Sequence, residues 1–241
     1  MSFREWTEEL RENVRGNQPN WPWLLGYALE DEFRRQRAVN KGYSGDVFKD
    51  RDDVPVLDGK NERPMVSQLY HACLQNNSGC LTIGEETFWL LGYEWPNQGG
   101  DAEKGRRADL IGLTNDGGLV VFECKLPTNP DPPFTALTEG LDYLSCLMRP
   151  LNFDNIIKGF RQWLQNPGKT TPDTHPGIEP QPEAKPAIIV LAPNEYFTGR
   201  YTRSKRGDGW ADFAAIGNDV CPSFRIGFAA SDFQSTKASW V

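Results

Sequence analysis

Asp109, Glu123 and Lys125, two acids and an amine, lie in one short stretch of this 241-residue chain. The stretch reads Arg106-Arg107-Ala108-Asp109-Leu110-Ile111-Gly112-Leu113, a turn at Asn115-Asp116-Gly117, then Leu119-Val120-Val121-Phe122-Glu123-Cys124-Lys125. Apolar, β-favouring residues on both sides of that turn predict a tight hairpin over 108–114 and 118–125. Side chains alternate along a strand, so Leu119 and Val121 share a face with Glu123 and Lys125. Two charges ending an apolar row are costly unless something pairs them. A metal ion and a further acid would pair them, and Asp109 is the obvious partner. Register decides whether it reaches. A two-residue turn at Asp116-Gly117 sets Asp109 opposite Cys124, on the wrong face. A loop of Asn115, Asp116 and Gly117, with Gly117 left-handed and a bulge, sets it opposite Glu123. The predicted form is this loop, or a bulge elsewhere with the same effect.

The elements that must position these residues follow from periodicity. Phe3, Trp6, Leu10 and Val14 fall at helical spacing, and a second helix is expected over about 23–37. Residues 41–61 are polar and read as a connection. A helix starts near Glu62-Arg63-Pro64, with Val66, Leu69, Tyr70, Cys73 and Leu74 on one face. Strands are expected at 87–93, 108–114 and 118–125. Helices then follow at about 135–148, where Leu137, Leu141, Leu144 and Met148 form the buried stripe, and at 153–165. Residues 167–186 hold six Pro and read as an extended surface loop. The wholly apolar run 187–191 suits a buried central strand, and a polar loop leads to a last strand at about 224–230.

Asp109, thirteen intervening residues and Glu123-Cys124-Lys125 together resemble the Asp…(Asp/Glu)-x-Lys signature of the PD-(D/E)xK superfamily of restriction-endonuclease-like nucleases. The order helix, three strands, helix, strand over 62–192 resembles that superfamily's core. The likeness covers about half the chain; nothing in 1–60 takes part, and Ala108 stands where the signature has Pro. It implies an α/β fold with a restriction-endonuclease-like core, a central mixed sheet flanked by helices. Residues 61–241 would form that core, and 1–60 a helical N-terminal extension. It further implies that Asp109, Glu123 and the Cys124 carbonyl hold Mg2+ or Mn2+, and that Lys125 orients or activates the attacking water. Glu62 is the candidate for an added metal ligand from the preceding helix, with Glu85 and Glu86 as runners-up. Glu139 and Tyr143 occupy the positions where the family's next helix carries polar residues. The plain alternatives are a strand-end surface salt bridge for Glu123 and Lys125, worth about 0–1 kcal/mol, an edge residue for Asp109, and a helix-dipole acid for Glu62.

A second basic feature bears on substrate. Tyr196-Phe197 precede Arg200, Tyr201, Arg203, Lys205 and Arg206, and cations interleaved with aromatics suit phosphates and exposed bases. Arg106 and Arg107 stand just before Asp109. Both groups read equally as solvated charge. The formal net charge of −7 argues against a sequence-blind nucleic-acid coat, though not against a local basic patch. Five Cys without a CxxC pair, and no N-terminal signal, read as reduced thiols in a cytoplasmic protein. No apolar run is long enough to span a bilayer. Gly168-Lys169-Thr170 lacks the first glycine of a phosphate loop. His71 and His175 are too few for a zinc hydrolase. The expected function is thus a metal-dependent nuclease acting on DNA, in restriction, defence or repair. The competing expectation is an inactive module of that fold binding protein or nucleic acid. Oligomeric state stays open, a homodimer among the options.

Overall fold

The computed structural model describes residues 21–38, 62–76, 78–96, 107–166, 175–198 and 210–241. The expected helix near Phe3–Val14 therefore lies outside the described residues. Helix α1 spans Trp21–Arg37 and buries Leu25, Leu29 and Phe33, spaced four apart along one face. Three arginines in its last turn complement the helix dipole. Helix α2 covers Glu62–Asn76, with Glu62 in its first turn. Strands β1 (Cys80–Ile83), β2 (Glu86–Pro96), β3 (Arg107–Leu113) and β4 (Leu119–Cys124) follow. Then come α3 (Pro133–Leu147), α4 (Pro150–Gln165), β5 (Ala187–Ala192), α5 (Asn194–Thr198), α6 (Trp210–Val220), β6 (Arg225–Ala230) and β7 (Lys237–Trp240).

Strands β1 to β4 pair antiparallel in sequence order, and β4, β5 and β6 run parallel. Strand β7 then pairs antiparallel with β6 and parallel with β1, so the seven strands close into a mixed barrel. This overturns the expected restriction-endonuclease-like core, a central mixed sheet flanked by helices. The closing strand escapes a sequence reading because Lys237-Ala238-Ser239-Trp240 is short and mostly exposed, with no apolar alternation to announce it. Its seams are narrow: Thr82 and Ile83 on one side, Ala229 and Ala230 on the other. The polar loop expected after β5 also contains two helices, α5 and α6.

The two faces of the strands bury separate apolar clusters. One joins Leu113, Leu119, Val121, Ile188 and Val190 to α1, α3, α4 and α6. The other joins Leu110, Val120, Phe122, Ile189 and Leu191 to α2. Helix α1 belongs fully to the first cluster, and buried Glu30 also accepts hydrogen bonds from the Ser223 amide and hydroxyl. Residues 21–37, within the stretch expected as an extension, thus supply part of the core. Helix α3 lies very close to the strands at Gly140, where a Cβ would meet the Ile188 Cγ2 methyl at 2.6 Å.

The β3–β4 hairpin takes the three-residue form. Leu110 faces Phe122 and Leu113 faces Leu119, a register that carries Asp109 to Glu123. The Thr114 amide donates to the Gly118 carbonyl at 2.9 Å, and Gly117 holds φ +86°. A Cβ at Gly117 would sit 2.4 Å from the Glu179 carbonyl, whereas one at Gly177, with φ +72°, would meet nothing within 4 Å. Gly177→Ala should therefore cost only the left-handed penalty, about 1–2 kcal/mol. Gly117→Ala should cost clearly more, because backbone must also move. Urea denaturation of both variants checks this; equal losses would show that the hairpin loop does not press on Glu179.

Candidate active site

Strand β4 ends with Glu123 and Cys124, and Lys125 is the next residue. Hydrophobic neighbours on both faces of β4 force this end of the strand inside: Glu123 is 4% exposed and Lys125 5%. That excludes the plain surface salt bridge. Lys125 Nζ donates to Glu123 Oε1 at 2.8 Å and to Glu139 Oε2 at 2.8 Å. Glu139 comes from α3, which can bring it there because its neighbour Gly140 has no side chain to hold the helix off. Asp109, half-buried on β3, accepts the Cys124 amide on Oδ2 at 2.8 Å. Among the described residues, Glu123 Oε2 is buried with no hydrogen-bond partner.

The electrostatics follow from crowding charge in a dry place. Burial pushes the Asp109 carboxyl up to about 7, against the opposing pull of Lys125 and the Cys124 amide. Burial, with Asp109 next, also holds Glu123 well above the usual carboxylate range. For Lys125, burial favours the neutral amine, but Glu123, Glu139, Glu62 and Asp109 together outweigh it and keep the ammonium. Burial, then the charges of Asp109 and Glu123, suppress ionisation of the Cys124 thiol.

Glu62 reaches the rim of this group without joining its centre. Its Oε1 accepts from the Leu126 amide at 3.3 Å and from Asn129 Nδ2 at 2.7 Å, tying the start of α2 to the segment after Lys125. The runners-up fail on position. Glu86 pairs with Arg225 at the other end of the sheet, and Glu85 is exposed in the β1–β2 turn beside it. Tyr143 is buried on α3, one turn beyond Glu139. Among the described residues, no group of three or more His, Cys, Asp or Glu side chains stands arranged to hold a metal ion. A cleft of about 450 Å3 between Pro193 and the β6–β7 turn contains none of these residues.

The aromatic-basic segment divides. Tyr196 and Phe197 are buried in α5, so they are not available to stack on bases. Tyr196 instead donates from its hydroxyl to the Asp131 carbonyl at 2.7 Å, and it senses the charges of Lys125, Glu139 and Glu62. Its place beside the acids had no local sequence signal, since it comes from a different strand's end. Arg200, Tyr201, Arg203, Lys205, Arg206 and Arg106 lie outside the described residues; Arg107 is exposed and bonds to Glu94 at 2.9 Å. Of the histidines, His175 sits 5.4–5.8 Å from the rings of Trp89, Phe160 and Trp163, and burial lowers its pKa to about 4. All five cysteines are buried thiols with no disulfide between them. No helix among the described residues is long and apolar enough to cross a membrane.

The Asp109 shift makes stability depend on pH. Its folded pKa, about 7, exceeds the ordinary 3.8, so the folded state binds the extra proton between those values. Its contribution is complete below about 4 and is lost as pH rises to 7, an effect on the order of a few kcal/mol. His175, with its lowered pKa, works in the opposite direction over about 4 to 6.5. Comparison with Asp109→Asn isolates the acid. Urea melts of both chains should show wild-type stability falling relative to the variant across this window; parallel curves would mean that Asp109 titrates normally.

Comparison with protein-family models, with curated proteins and with solved structures finds no match to this chain, so its chemistry has to be read from these side chains.

Proposed function

We propose that this protein is a metal-dependent nuclease that hydrolyses phosphodiester bonds in DNA, in a restriction, defence or repair setting. The observation that carries the reading is a crowded pair of acids, buried Glu123 and half-buried Asp109, with the Lys125 ammonium bonded to Glu123. Glu123 Oε2 is an orphaned buried oxygen, the kind of atom a cation satisfies. With Asp109 and the Cys124 carbonyl it makes a donor set of hard oxygens, which suits Mg2+ or Mn2+. When bound, such an ion supplies Lewis-acid stabilisation of the charge that develops on the phosphate.

The protein's own groups divide the remaining work. Glu139 and Glu123 hold Lys125 on two sides and keep it charged, so its ammonium can orient the attacking water and stabilise the scissile phosphate. Glu62 braces the segment after Lys125 through Leu126 and Asn129. Tyr196 ties α5 to Asp131 and closes one flank. A second reading, a non-catalytic binding module, is favoured by one feature: Lys125 is itself an ion-pair partner for both Glu123 and Glu139.

Incubation with supercoiled plasmid separates the two. The wild-type chain should nick it in Mg2+ or Mn2+ and not in EDTA. Lys125→Ala and Asp109→Asn, checked for folding by circular dichroism, should lose roughly a hundredfold or more of the rate. Background nicking of equal size in all three chains would eliminate the enzyme.

A further inference from the structure

One more group of charges borders the acids. Glu94 on β2 is a non-glycine residue in the left-handed region, φ +48°. Such a conformation is unfavourable for it and persists only where its surroundings hold it. Its neighbours in β2 pair Tyr93 with Leu110 and Trp95 with Ala108, which sets Glu94 beside Asp109. The carboxylate it presents collects two guanidinium groups on one oxygen. Arg107 Nη1 donates to Glu94 Oε2 at 2.9 Å, and Arg63 Nε stands 3.2 Å from the same atom.

Both arginines flank the candidate site. Arg107 precedes Asp109 by two residues on β3, and Arg63 follows Glu62, which braces the segment after Lys125. Each arginine side chain keeps 46% exposure, while Glu94 keeps 17%. The acid is therefore set back and the cations stand forward. A guanidinium presents five N–H groups in a planar fork that matches phosphate oxygens, and Arg107 gives Glu94 a single one among the described residues.

We propose that Arg63 and Arg107 form a clamp for a backbone phosphate of nucleic acid adjoining the scissile one, with Glu94 as the residue that positions both. The clamp rests on the nuclease reading for its place along the strand, but its binding step can be measured without cleavage. In EDTA, binding of a fluorescein-labelled DNA duplex to the full chain is followed by fluorescence anisotropy over a range of KCl. Arg63→Ala/Arg107→Ala should weaken binding at least about tenfold at low salt and reduce the slope of log K against log salt by about one, for the one phosphate that the two share. Arg63→Lys/Arg107→Lys should restore the slope, since charge returns. Glu94→Gln should keep the slope while lowering kcat at unchanged KM in Mg2+, because charge remains but position is lost. Should the alanine pair fail to fold, Arg63→Gln/Arg107→Gln gives the same two readings. An alanine or glutamine pair with wild-type affinity and slope would overturn the clamp, as would a wild-type chain that binds no DNA. Arginine-dependent binding with no cleavage in any metal would instead remove the nuclease reading and leave the clamp standing.

Discussion

The ion pair between Lys125 and Glu123 at the end of β4 is the interaction on which the rest of this region depends. Two charges inside an apolar wall are tolerated only if each finds an opposite or a hydrogen bond. Lys125 finds two acids, and Glu123 finds the ammonium on one oxygen and nothing on the other. Replacing such a pair by apolar residues of equal size is often neutral or stabilising. Its presence here is therefore poor evidence for stability.

Everything near the pair is arranged to keep it crowded. The three-residue hairpin loop brings Asp109 alongside Glu123, and desolvation then raises both carboxyl groups. The missing side chain at Gly140 lets α3 settle onto β4 and β5 and places Glu139 against the ammonium. Glu62 and Tyr196 fasten the segment that leaves β4, one from each side. The acids come from separate elements, so their mutual repulsion is sustained by the packing of both apolar clusters.

The barrel changes how the site is framed. In an open sheet the ends of β4, β5 and β6 would face helices alone; here β7 stitches β6 to β1 and shuts the second apolar cluster inside. The acids stand on the other face, with α3, and closure leaves them on the helix-covered side of β4. Helix α1 completes that side as a core element through Leu25, Leu29 and Phe33.

Local chemistry made part of this legible from the chain alone. Alternation along 119–125 set Glu123 and Lys125 on one face, and the demands of Asn115-Asp116-Gly117 settled the register that brings in Asp109. Helical spacing revealed α1 to α4, and the apolar run revealed β5. All of these are signals written within a dozen neighbouring residues. Closure of the sheet by β7, the grip of Glu139 on Lys125, the diversion of Glu62 to Leu126 and Asn129, and the burial of Tyr196 were decided by tertiary structure. Each depends on which distant segments come to lie together. A four-residue polar strand or a single helix acid carries no periodic trace of the partner it will meet.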